Sequence, residues 1–113
     1  MNQKTILKGI AASPGVTRGP VKLVSSADDI AIFNDGDILV TEITEPSMVM
    51  MMNKAAAIVT DVGGLTSHPA IVSRELGIPC VVATKTATTQ LENGMQVEVD
   101  GTNGKVYDVS ELD

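Results

Sequence analysis

The stretch "VTDVGGLTSHPAIVSRELGIPCVV", Val59 to Val82, contains the chain's single histidine, His68. Before it stand the diglycine Gly63-Gly64 and the hydroxyl pair Thr66 and Ser67; after it come Pro69 and a periodic apolar run. The glycines permit positive φ and close backbone approach, and Thr66 or Ser67 suits a helix N-cap. Pro69 suits a first helical turn, where an N–H has no intrahelical partner. The spacing predicts a strand ending near Asp61, a tight turn, and a helix from about Pro69 to Leu76 stopped by Gly77 and Pro79. His68 then lies where unpaired amides and the positive end of a helix dipole converge, which suits an anion and specifically a phosphoryl group. A free imidazole titrates at about pH 6.5, so at neutral pH one ring nitrogen offers a lone pair that can attack phosphorus. Thr66 and Ser67 can donate to phosphoryl oxygens, and Arg74 can neutralise a charge if it folds back toward the loop.

Other chemistries fit these residues less well. A phosphate-cradling Gly-Lys-Ser/Thr loop is excluded, because Leu65 follows the second glycine and no lysine is present in "GGLTSH". One histidine without clustered Cys, Asp or Glu makes too few metal ligands. A hydrolase built on Ser67 would need a second imidazole. Cys80, the only cysteine, sits in "IPCVV" and reads as a buried, inert thiol. The net charge of −6 and an aromatic complement of only Phe33 and Tyr107 argue against nucleic-acid binding. A purely structural histidine stays open on spacing alone.

Positioning such a loop requires a small α/β domain. The length of 113 residues fits one domain, 1–113, and no apolar run approaches the roughly 20 residues that cross a bilayer, so a cytoplasmic protein is expected. A turn is expected around Pro14 and Gly15, strands over Val21–Val24, Ile38–Val40, "AAAIVTD" and "CVVAT", and a hairpin of "MQVEVDG" and "GKVYDV" around "DGTNG". "TATTQLENG" suits one or two helical turns. "EPSMVMMMNKA" reads as a helix opening at Pro46, with Met48, Met51 and Met52 on one face. Packing of that stripe on the protein's own sheet is favoured over partner docking. Together these elements predict a compact α/β fold with a parallel centre and antiparallel additions.

"GGLTSHPAIVSRELGIPCVV" resembles the phosphohistidine signature of the phosphoenolpyruvate-utilising enzymes, which include phosphoenolpyruvate synthase, pyruvate phosphate dikinase, enzyme I of the sugar phosphotransferase system and rifampicin phosphotransferase. "GIAASPGVTRGPV", "GDILVTEITEP" and "LENGMQVEVDGTNGKVY" are similar to further segments of that family, so nearly the whole chain is covered, and the closing segment "TKTATTQLENGMQVEVDGTNGKVY" is most similar to phosphoenolpyruvate synthase. The resemblance implies a single swivelling β/β/α domain with a mixed sheet and short helices. It implies a phosphoryl carrier, transiently phosphorylated on His68. The group passes between a nucleotide-binding, ATP-grasp-like domain and a phosphoenolpyruvate/pyruvate barrel domain, supplied in trans or by a longer chain. No cofactor is then expected on this domain itself; Mg²⁺ with ATP or phosphoenolpyruvate belongs to the partners, without which turnover is not expected. Matched onto this sequence, His68 is the phosphorylated residue, Thr66 and Ser67 the hydroxyl pair, Gly63 and Gly64 the loop, Arg74 the helix arginine. Thr44 matches a threonine that in some members approaches the histidine. Thr66 also matches a position regulated by phosphorylation in some dikinases. Pro69 replaces the usual alanine and Ser47 the usual aspartate. The alternative is a non-catalytic module of the same fold that docks a partner protein.

Overall fold

The computed structural model describes residues 4–110. Eight strands, β1 (Lys4–Lys8), β2 (Ile10–Ser13), β3 (Val16–Leu23), β4 (Ile38–Thr41), β5 (Ala57–Thr60), β6 (Cys80–Val82), β7 (Gln96–Asp100) and β8 (Lys105–Asp108), lie in the order β1-β8-β7-β3-β4-β5-β6-β2. The helices are α1 (Val49–Lys54), α2 (His68–Leu76) and α3 (Ala87–Gln90), with 3-10 turns at Ala27–Ile32 and Pro46–Met48. β3, β4, β5 and β6 run parallel in sequence, while β7 pairs antiparallel with β3, and β2 with β6. This is the expected parallel centre with antiparallel additions.

β3 joins two sheets. Val16–Pro20 pairs with β7, and Val21–Leu23 with β4. The two outermost strands, β1 and β2, are consecutive in the chain and separated only by Gly9, so the sheet curls until its edges meet. Gly9 donates its N–H to Gly104 beside β8, and a Cβ there would lie 2.3 Å from the Val82 carbonyl oxygen. Only glycine fits that crossing. Gly101 closes the same seam, since its Cβ would lie 1.9 Å from the Ser13 carbonyl oxygen.

The near-continuous apolar runs of β4, β5 and β6 have two destinations, because successive side chains point to opposite faces. Ile38, Val40, Ala57, Val59 and Val81 enter an inner core with Val97, Val99 and Val106. Leu39, Ile58, Cys80 and Val82 face outward under the helices, against Met48, Met51, Met52, Ala70 and Phe33. The layers are therefore sheet, sheet and helix, the expected β/β/α arrangement. Met48, Met51 and Met52 are buried, as the self-packing reading expected, while Met50 alone of that run is exposed.

Several elements differ from expectation. β3 begins at Val16 rather than Val21, extended by its pairing with β7. β1 and β2 were not anticipated, nor was the Ala27–Ile32 turn, although Ser26 and Asp29 form a capping box there. Those Ser25 and Ser26 amides hold the Asp29 carboxyl below its usual range. No helix among the described residues is long and apolar enough to cross a membrane.

Candidate functional site

The parallel strands β4, β5 and β6 all end on one side of the sheet, at Thr41, Thr60 and Val82. Three loops leave these ends and form the site, residues 42–45, 61–67 and 83–86. Backbone bonds extend the ladder past the strands: Asp61 N–H donates to Thr41 O (3.2 Å), Val62 N–H to Glu42 O (3.1 Å), Thr84 N–H to Thr60 O (3.1 Å) and Lys85 N–H to Asp61 O (2.9 Å).

His68 is the first residue of α2 and is half-buried. Its Nδ1 lies 2.7 Å from Thr44 Oγ1 in a hydrogen bond whose donor depends on the ring tautomer. Thr44 is 3% exposed, so the contact is held from below by the protein and leaves Nε2 as the ring nitrogen without this partner. The bond spans 24 positions and joins the first loop to the second.

Ser67 occupies the N-cap position, yet no side chain caps α2. The Ser67 hydroxyl instead donates to the Gly64 carbonyl (2.7 Å), and the Ser67 N–H does the same (3.1 Å). The expected cap is thus replaced by a tightened turn, and no side chain caps the His68 and Ala70 amides, the first-turn donors left by Pro69 and by the Ile71 N–H bond to Ser67 O. Gly63 has φ 133°, and a Cβ there would sit 2.9 Å from Ser67 Oγ, so this glycine is required twice over. Gly64 meets nothing within 4 Å and contributes through its carbonyl. Thr66 is exposed beside them.

Arg74 lies elsewhere. It is six residues along α2 from His68, about 9 Å of helix rise, and its Nε donates to the Ala12 carbonyl of β2 (2.7 Å). The guanidinium pins α2 to the sheet rather than folding back to the loop, because a buried strand carbonyl near the helix C-terminus offers a closer acceptor. The expected Arg74 contact is therefore not among the groups the fold gathers around His68.

Two residues were missed. Asp61, buried at the end of β5, accepts from Thr88 N–H (3.0 Å) and Thr88 Oγ1 (2.5 Å), capping α3 from a distance and tying the third loop to the second. The only sequence signal was an aspartate ending the apolar run "AIVTD". Lys85 was also missed; it is exposed on the third loop with φ 73°. Cys80, beneath α2, is fully buried with its Sγ 3.8 Å from Pro69 O; burial raises the thiol pKa to about 11. Among the described residues no three His, Cys, Asp or Glu side chains converge as metal ligands.

Known proteins match this sequence and fold. The family described as "PEP-utilising enzyme, mobile domain" matches residues 33–104, which include Thr44, the His68 loop and α2. The chain is 61% identical over 104 residues to phosphoenolpyruvate synthase of Pyrococcus furiosus, covering 92% of this chain and 13% of that protein. It is 57% identical over 105 residues to a probable phosphoenolpyruvate synthase of Archaeoglobus fulgidus, covering 93% of this chain and 14% of the relative. Among solved structures, an NMR structure of Enzyme I (nEIt) is 38% identical with a TM-score of 0.57, over 64% of this chain and 30% of that one. The chain spans only about an eighth of the length of these curated relatives. With its layered fold, its histidine at a helix mouth and a family match over most of its length, the chain belongs to the mobile-domain family of phosphoenolpyruvate-utilising enzymes.

Proposed function

We propose that the chain, over residues 1–113, is a cytoplasmic phosphoryl carrier whose His68 is transiently phosphorylated, in the manner of a phosphoenolpyruvate synthase. The observation that carries this is the 2.7 Å Thr44–His68 bond at the uncapped mouth of α2. With the proton on Nδ1 and Thr44 Oγ1 accepting it, the Nε2 lone pair is free to attack. Nε2 forms a bond to phosphorus as the donor's P–O bond breaks, and the leaving oxygen takes that electron pair. The first-turn amides of His68 and Ala70, with the hydroxyl of Thr66, receive the phosphoryl oxygens, and the Ser67 hydroxyl joins them by giving up its bond to the Gly64 carbonyl. Gly63 and Gly64 shape the turn that presents them, and Arg74 acts indirectly by fixing α2 on β2. Transfer to an acceptor reverses the step and returns the same lone pair.

The donor and acceptor sites are assigned in this reading to other domains, a nucleotide-binding one and a phosphoenolpyruvate/pyruvate barrel, for which the relatives, some seven times longer than the segment matched, have room. ATP or phosphoenolpyruvate and Mg²⁺ act there. The alternative of a non-catalytic docking module loses one of its two surfaces, since the Met48, Met51 and Met52 face is buried, and keeps the loop, where Val62 and Leu65 are exposed.

The test is a chimera in which the matched 104 residues of the Pyrococcus furiosus enzyme are replaced by this chain. With labelled ATP, an acid-labile, alkali-stable phosphate is expected on the peptide containing His68 and absent in His68→Ala. Label surviving in that variant, or none in a folded chimera, refutes the proposal.

A further inference from the structure

Phosphorylation of His68 brings a charge of about −1.5 to −2 to a site that already leans negative. The three loops around His68 carry Glu42, Glu45 and Asp61, and the chain as a whole has a net charge of −6. Arg74, the cation on α2, is committed to the Ala12 carbonyl. Of the eight Lys and Arg residues in the chain, Lys85 alone lies on these loops. It is exposed, and its ammonium makes no hydrogen bond or ion pair with the described residues, whereas Arg18 is paired with Glu98 and Lys54 is bonded to the Phe33 carbonyl.

The third loop holds Lys85 in one place. Thr84 donates both its N–H (3.1 Å) and its hydroxyl (2.9 Å) to the Thr60 carbonyl, and Lys85 donates its N–H to the Asp61 carbonyl (2.9 Å). Beyond it, the Asp61 carboxylate accepts from the Thr88 N–H and hydroxyl. These bonds pin residues 84–88 to the end of β5, where the His68 loop begins. Ala83 and Lys85 stand there at φ 59° and 73°, a region that L side chains rarely adopt and that persists only where the surroundings over-determine it. The root of the loop is also close to the histidine. A Cβ on Gly63 would lie 2.9 Å from Ser67 Oγ and 3.4 Å from Val82 Cβ, so the residue before His68 and the last residue of β6 flank one point.

We propose that Lys85 is the counter-cation of the phosphoryl group on His68. Its backbone is one chain spacing, about 4.8 Å, from Asp61, and its four-carbon stem carries the ammonium to the phosphoryl oxygens. The proposal rests on the phosphoryl-carrier reading. A cation fixed on the carrier travels with the group to donor and acceptor alike, so neither partner has to supply it. An ammonium beside the phosphoryl oxygens favours their fully ionised form and so lowers the second ionisation of the group.

The test uses the chain itself, loaded chemically with phosphoramidate, because its single histidine gives a single phosphohistidine residue. ³¹P NMR from about pH 6 to 9 follows the second ionisation. Lys85→Gln keeps the strained backbone and most of the stem but drops the charge. It should raise that ionisation by roughly 0.5–1 unit, the effect of a cation at about 4–6 Å discounted for solvent exposure. Lys85→Arg should restore the wild-type value, and Arg74→Met should leave it unmoved. In the chimera with labelled ATP, Lys85→Gln should slow His68 labelling about threefold to fivefold, and Lys85→Arg should recover most of the rate. An ionisation in Lys85→Gln within about 0.2 unit of wild type overturns the proposal even where the chimera slows, since the lysine would then serve a partner contact. A wild-type chain that phosphoramidate leaves unmodified overturns it as well. An unlabelled wild-type chimera overturns the carrier reading instead.

Discussion

Thr44→Val tests how the fold prepares His68. Valine keeps the volume and branching of threonine at a position that is 3% exposed, so the packing survives and the hydroxyl alone is lost. The bond removed is 2.7 Å long and joins neutral groups. A neutral hydrogen bond contributes a net of about 1 kcal/mol, and the half-buried ring lets water compensate in part, so about 1 kcal/mol is the expected loss. With Thr44 Oγ1 acting only as the acceptor from Nδ1–H, that energy amounts to a roughly fivefold change in the ratio of ring tautomers, since RT is about 0.59 kcal/mol. Ring ¹⁵N chemical shifts of His68 in the isolated chain, measured where the imidazole is neutral, should show the proton on Nδ1 in wild type and a mixture in the variant. Labelling of His68 in the chimera should slow about fivefold, and Thr44→Ser should restore most of the rate. A wild-type spectrum with the proton on Nε2, or a valine variant labelled within twofold of wild type, would refute the assignment of Nε2 as nucleophile.

Gly9→Ala places a methyl group 2.3 Å from the Val82 carbonyl oxygen, where backbone must shift on both sides. A loss of about 2–3 kcal/mol is expected, read as a fall in melting temperature on the order of 10 °C or more. Arg74→Met removes the bond to Ala12 and keeps the apolar stem, so it should lower stability by about 1 kcal/mol while slowing His68 labelling less than Thr44→Val does. Abolished labelling at an unchanged melting temperature would instead show a direct phosphate contact. Asp100 accepts from the Asn103 side chain and from the Asn103 and Thr102 amides, bonds that hold its carboxyl below the usual range, with Lys105 assisting. The folded state thus binds this proton more weakly than the unfolded chain. Its stabilisation is present above the ordinary aspartate value and is lost as pH falls through that value and on through the lowered one. Asp100→Asn should flatten that part of the stability profile, and an unchanged acid limb would contradict it. The Cys80 thiol, raised to about 11 by burial, should resist a thiol-specific reagent at pH 8 until the chain is unfolded; fast reaction of the native chain would contradict its burial.

What the sequence disclosed follows from which forces are local. The diglycine, the hydroxyl pair, Pro69 and Gly77 are turn and cap signals acting within a few residues, and the structure starts α2 at His68 and ends it before Gly77 in the left-handed region, φ 72°. The apolar runs of β4, β5 and β6 were legible as buried strands for the same reason. The crossing at Gly9 was not, because "KTILKGIAAS" shows no clean alternation and the contact that demands glycine is made by Val82, far along the chain. Long polar side chains were the other limit. The residues around Arg74 hold no signal that its acceptor would be Ala12, nor those around Asp61 that its partner would be Thr88. Ser67 shows the same effect at short range, where its hydroxyl had a choice between capping α2 and tightening the turn onto Gly64, and took the second. Thr44 came from the family resemblance alone, and a bond across 24 positions explains why.

A carrier must unload as well as load, and a pulse and chase on the chimera measures both. His68 is labelled from ATP, the protein is freed of nucleotide, and unlabelled pyruvate is added with Mg²⁺. The label should leave His68 and appear in phosphoenolpyruvate as fast as the chimera turns over. Label that stays on His68, or that passes only to water at the rate seen without acceptor, would contradict a phosphoryl carrier of this kind.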